Sequence, residues 1–104
     1  MRQIFALTFA LAVCPSLVAQ SLRATRIAEG ITRPTELASP PGDTSRQFVI
    51  EGRRGVRIIK NGVVLPTPFL DISDELTDAN QAIGSIAFHP DYASNGRFFL
   101  LYVD

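Results

Sequence analysis

Leu37-Ala38-Ser39-Pro40-Pro41-Gly42, leading through polar residues to Arg46-Gln47-Phe48-Val49-Ile50, has a counterpart further along the chain. The counterpart is Ile86-Ala87-Phe88-His89-Pro90-Asp91, leading to Gly96-Arg97-Phe98-Phe99-Leu100. Pro41 and Pro90 lie 49 residues apart, and Phe48 and Phe98 lie 50 apart. Each copy reads as an apolar strand end, a proline turn, a polar loop and a second apolar strand. A repeat of this length and content fits one blade of a β-propeller better than a self-contained small domain.

Outward from the repeat, the chain reads as hairpins. Arg23 to Ala28 alternates loosely and is expected to form a short strand, and Thr35 to Ala38 a second. Pro40 to Asp43 is a tight connection to a strand over Gln47 to Glu51. Gly52 to Gly55 turns the chain into Val56 to Lys60, and Asn61-Gly62 is a turn that tolerates positive φ at both residues. Pro66 and Pro68 exclude a central strand. Asp71 or Ser73 is placed to cap one helical turn in the acidic stretch that follows. Ile83 to Phe88 and Arg97 to Val103 are the two best strands. No segment after residue 19 holds a 3.6-residue apolar period over helical length, so the expected fold class is all-β.

Residues 1–19 have the pattern of an export signal: Arg2, an apolar run from Ile4 to Val13, and Leu17-Val18-Ala19 as a cleavage site. Its removal takes away Cys14, the single cysteine, and Arg2, leaving nine of the ten basic residues against ten acidic ones. So even a balance gives no electrostatic case for nucleic acid or an anionic membrane. The apolar run is too short to span a bilayer, which needs about 20 residues. An exported domain of this size without disulfides is expected to be part of a larger core. The apolar strand Phe98 to Val103 has no partner in the sequence, and residues 20–104 are expected to be the N-terminal part of a truncated domain.

Two stretches resemble a known family. Glu51-Gly52-Arg53-Arg54-Gly55-Val56-Arg57-Ile58-Ile59-Lys60-Asn61-Gly62 is similar to a segment near the start of glucose/sorbosone dehydrogenases. Ile83-Gly84-Ser85-Ile86-Ala87-Phe88-His89-Pro90-Asp91-Tyr92, followed by Asn95-Gly96-Arg97-Phe98-Phe99, resembles that family's longer and more specific motif. The resemblance implies a six-bladed β-propeller in the complete protein, with this chain covering about the first one and a half blades. It implies oxidation of the CH–OH group of aldose-type sugars by pyrroloquinoline quinone (PQQ), with Ca²⁺ helping to hold the cofactor. The family's catalytic histidine, calcium ligands and cofactor clamps lie in later blades, so no catalytic and no metal residue is expected here. A glutamine that lies near the active site in these enzymes falls on Asn80, with Gln81 one residue late, and both are candidate cofactor-binding residues. Ala82 and Ser85 stand where the family often has glycine. Relatives that use the fold for binding imply the alternative of a non-catalytic extracellular scaffold.

His89, the single histidine, is read as a turn residue whose ring bonds loop backbone, with Pro90 fixing the turn and Asp91 accepting N–H groups. Glu51 is expected to pair with Arg53 or Arg54 at the surface. Asp71, Asp74, Glu75 and Asp78 lack the glycine and terminal glutamate of an EF-hand and are read as capping and solubilising residues. Phe88, Phe98, Phe99 and Tyr102 are expected in the core. The combined expectation is a secreted or periplasmic protein, alone or as part of a larger multidomain one. Its partners would be a sugar substrate and an electron acceptor, with no transmembrane segment once the signal is removed.

Overall fold

The computed structural model describes residues 20–103; the expected export signal and Cys14 lie outside the described residues. Four strands form an antiparallel meander: β1 (Pro34–Ala38), β2 (Arg46–Glu51), β3 (Gly55–Lys60) and β4 (Val63–Val64). A fifth, β5 (Leu70–Asp71), joins the same edge of β3, pairing with Gly55 and Val56 while β4 pairs with Ile59 and Lys60. Pro66 and Pro68 lie between β4 and β5, so the outer edge of this sheet is one strand broken by prolines. A second sheet holds β6 (Ala82–Phe88) and β7 (Phe98–Val103), joined through a single helical turn, α1 (Tyr92–Asn95). Among the described residues no helix is long and apolar enough to cross a membrane.

Turn chemistry follows the sequence closely. Asp43 N–H donates to Pro40 O at 3.1 Å with Gly42 at φ 76°, a turn of type II with proline and glycine at their favoured places. Asn61 and Gly62 both have positive φ, 52° and 75°, as a two-residue hairpin turn requires. Asp71 Oδ1 accepts from the Ser73 N–H and hydroxyl, and Leu76 N–H reaches back to Ile72 O, so Asp71 caps one isolated turn. The expected strand at Arg23 to Ala28 does not form. Instead Ile27 to Ile31 lie beside Val49 and Ile59, both buried, on the outer face of the first sheet.

The two sheets are the same unit laid down twice. In the first ladder Pro34 pairs with Glu51, Glu36 with Ile50, Leu37 with Val49 and Ala38 with Phe48. In the second, Ile83 pairs with Tyr102, Ser85 with Leu101, Ile86 with Leu100 and Ala87 with Phe99. Every inner-strand residue is displaced by 49 and every second-strand residue by 51. The irregularity at Thr35 in the first ladder recurs at Gly84 in the second. Phe48 therefore corresponds to Phe99, not to Phe98 as the sequence suggested. The second copy's loop is two residues longer, and this loop contains α1.

The equivalent sheets meet through unlike faces. The first contributes Phe48, Ile50, Val56 and Ile58 to the core, and the second contributes Ile83 and Ile86, with Phe88, Phe98 and Leu100 packed against them. Phe48 is fully buried, its ring edge-on to Phe69 at 4.8 Å and to Phe88 at 4.9 Å. Leu76 drops into the same core from its isolated turn. Glu36 ties the inner strands together, accepting from Ile86 N–H at 2.7 Å and from the Ser85 hydroxyl at 3.3 Å. Alternation along β7 sends Phe98 and Leu100 inward and leaves Phe99 63% and Leu101 67% exposed. Phe99 and Tyr102 thus fall outside the core in which they were expected.

Candidate functional site

Three connections meet at the end of the sheets where β1 and β6 begin. Gly52 N–H donates to Arg33 O at 3.1 Å, and Ile83 N–H donates to Gly52 O at 2.9 Å. The β2–β3 turn is thereby stitched to the segment entering β1 on one side and to the segment entering β6 on the other. Arg53 Nη2 donates to Asp78 O at 2.7 Å, and Ile72 N–H donates to Arg54 O at 2.9 Å, drawing in the connection from β5 to β6. Both candidate cofactor residues, Asn80 and Gln81, lie on that connection.

Their surroundings separate them. Gln81 Oε1 accepts from Asp78 N–H at 2.9 Å while Gln81 N–H donates to Asp78 O at 3.2 Å. That reciprocal pair makes Gln81 a brace for the turn. Asn80 gives its backbone N–H to Asp78 Oδ1 at 2.8 Å, and its side chain stands exposed. Asn80 is thus the residue of the two with its amide turned to solvent beside the arginine-bearing β2–β3 turn.

Glu51 is the residue whose role the sequence hid. Instead of pairing with Arg53 or Arg54 at the surface, it is 3% exposed. Its Oε2 accepts from Thr32 N–H at 2.9 Å, and its Oε1 lies 3.5 Å from Arg57 Nη1. Hairpin register explains the change of partner. Glu51 stands opposite Gly55 and Val49 opposite Arg57, so Glu51 and Arg57 are diagonal neighbours on one face. Arg57 Nη2 also donates to Leu65 O at 2.8 Å, holding the proline segment against the sheet. A cavity of about 300 Å³ beside this pair is lined by Glu51, Arg54, Arg57, Pro68, Asp71 and Ser73.

The acidic stretch is engaged in local turns. The Ser73 hydroxyl and N–H, with the charge of Arg54 a smaller contribution, hold the Asp71 carboxyl below its ordinary range. Asp78 receives Asn80, and among the described residues no three histidine, cysteine or acidic side chains converge as a metal site would need.

At the opposite end, His89 fills the turn between β6 and β7. Its Nδ1 faces the Asp91 N–H and the Asn95 amide nitrogen, each at 3.0 Å. Both are donors, so the ring proton sits on Nε2. Tyr92 N–H donates to His89 O and His89 N–H to Arg97 O, closing the loop. Asp91 contributes through its carbonyl, which accepts from Ser94 and Asn95, rather than through its carboxylate. The corresponding loop of the first sheet holds Asp43, bound by the Arg46 guanidinium and by the Ser45 N–H and hydroxyl, which keep its carboxyl far below the ordinary range. No protein-family model, curated protein or solved structure matches this chain.

Proposed function

We propose that this chain forms the first one and a half blades of a β-propeller, and that the complete protein is an exported oxidoreductase using PQQ to oxidise aldose sugars. The observation that supports the propeller is the meeting of two sheets of one register through unlike faces. A contact between unlike faces of equivalent units is heterologous, and its repetition gives a ring when the rotation closes. Sheet stacking through like faces would instead have ended the series at two. Phe99 and Leu101, the counterparts of Phe48 and Ile50, form the face that a third sheet would cover.

Support for the chemistry comes from the resemblance of residues 51–62 and 83–99 to sugar dehydrogenases. PQQ, when bound, supplies a two-electron acceptor. This chain's contribution is the scaffold and the exposed amide of Asn80, suited to bonding a carbonyl or hydroxyl. Among the described residues no three acidic, histidine or cysteine side chains converge.

Calorimetric titration of the complete, signal-free protein with PQQ, with and without Ca²⁺, tests the proposal. Tight, calcium-dependent binding is expected. Well-folded protein that binds no PQQ would refute the oxidoreductase and leave a recognition scaffold.

A further inference from the structure

Asparagine precedes glycine at Asn61-Gly62 and again at Asn95-Gly96, and the fold treats the two pairs differently. Glycine has no Cβ to keep its backbone nitrogen away from the preceding side-chain amide, so such a pair is able to react within itself. Asn95 is held in place. Its Nδ2 meets His89 Nδ1 at 3.0 Å, its Oδ1 accepts from Arg97 N–H at 2.8 Å, and Gly96 N–H donates to Tyr92 O at 2.8 Å. Asn61 stands exposed at the turn between β3 and β4. Among the described residues neither its side-chain amide nor the Gly62 N–H has a hydrogen-bond partner. A Cβ placed on Gly62 would come no closer than 3.5 Å to Ile27 O, so no neighbouring segment crowds the turn. The strand behind it is β4, whose two residues pair with Lys60 and Ile59 at the sheet's edge, and so short an element opens at low free-energy cost.

We infer that Asn61 is a site of spontaneous covalent modification, converting to aspartate and isoaspartate in the folded protein while Asn95 stays intact. The Gly62 nitrogen attacks Asn61 Cγ, and the new N–C bond closes a succinimide ring. The Cγ–Nδ2 bond breaks, and ammonia leaves with the proton lost from the Gly62 N–H. Water then opens the ring. Opening at Cγ restores the backbone and leaves aspartate. Opening at the Asn61 backbone carbonyl leaves the chain running through Cγ, one methylene longer. Asn61 and Gly62 have φ of 52° and 75°, the paired positive values of a two-residue hairpin turn. Aspartate tolerates that backbone, whereas the extra methylene lengthens the turn and draws Val63 and Val64 away from Lys60 and Ile59. The loss extends to Leu65, whose N–H donates to Ile58 O at 2.8 Å. The inference rests on the β3–β4 hairpin alone; neither propeller closure nor sugar oxidation bears on it.

Peptide mass mapping of the full chain after incubation at mildly alkaline pH tests it. The Asn61 peptide is expected to gain the mass of an amide-to-acid conversion and to split into aspartate and isoaspartate forms. The hydrogen bonds that must open at Asn95 and Gly96 should hold that site back by about a hundredfold. In concentrated urea, where both pairs lose their structure, the two rates should become equal. The isoaspartate fraction should exchange its Leu65 amide faster than an Asn61→Asp variant, which keeps the normal backbone. Asn61 that stays intact in the folded chain overturns the inference, as do equal rates at Asn61 and Asn95 in native buffer. A difference that persists in urea overturns it as well, since neighbouring sequence and not the fold would then set the rates.

Discussion

Replacing Glu36 by alanine removes the carboxylate that joins the inner strands of the two sheets. Its bond from Ile86 N–H is short, at 2.7 Å, while that from the Ser85 hydroxyl is long, at 3.3 Å. Hydrogen bonds to a charged group contribute about 1.5–3 kcal/mol. Glu36 is half-buried and Ile86 buried, so a loss of about 2 kcal/mol is expected on substitution to alanine. Glutamine keeps an oxygen for Ile86 and loses only the charge, for a cost of about 1 kcal/mol. Urea unfolding reads the total, and native-state exchange of the Ile86 amide reads the site. The alanine variant should exchange that amide about 30-fold faster, with the glutamine variant between it and wild type. Equal Ile86 exchange and equal stability in all three proteins would refute the reasoning, since the bridge would then carry no load.

Phe48→Ala should cost about 3–5 kcal/mol in the same unfolding assay, because it empties the centre of a fully buried aromatic cluster. Gly55→Ala places a methyl group on the Leu70 carbonyl, so β5 must leave β3; a loss of about 3 kcal/mol and faster exchange at Phe69 and Ile72 are expected. Glu51→Ala removes one of Arg57's partners and the acceptor of the Thr32 N–H, for about 2 kcal/mol, whereas Arg54→Ala at the exposed turn should change stability by under about 0.5 kcal/mol. Asp43 has a folded pKa below its unfolded one, so its turn is fully stabilised above about pH 4 and weakens as pH falls through the folded value. Carboxyl titration by NMR should find Asp43 still ionised at about pH 3, and Arg46→Ala should move its midpoint upward.

Much of this fold was legible because its signals are local. Proline and glycine placed the turns at Pro40 to Asp43 and Asn61-Gly62, and apolar runs bounded by turn residues placed β2, β3, β6 and β7. Features that depend on a partner distant in sequence were not legible. Glu51 was assigned to the arginines of its own turn, because its true partner, Arg57, is fixed by cross-strand register. Leu76 lies in a stretch read only for its acidic residues, yet the turn capped by Asp71 carries it into the core. Phe99 and Tyr102 looked like core because a strand apolar on both sides suggests burial on both sides, and only one side is covered here. Matching Phe48 to Phe98 was natural by residue type; the ladders show that a loop two residues longer shifts the match to Phe99. At the candidate site, the sequence reached Asn80 and Gln81 together, and hydrogen bonding separated the brace from the exposed amide.

The most direct measurement is a set of ring-to-ring NOEs from Phe48, recorded with selectively labelled phenylalanine. Packing of equivalent sheets through unlike faces predicts strong contacts from Phe48 to Phe88 and Phe69, with the Phe99 ring remote from Phe48 in the same molecule. Contacts between Phe48 and its counterpart Phe99 within one chain would mean like faces meeting across a two-fold sandwich, and would contradict the propeller arrangement.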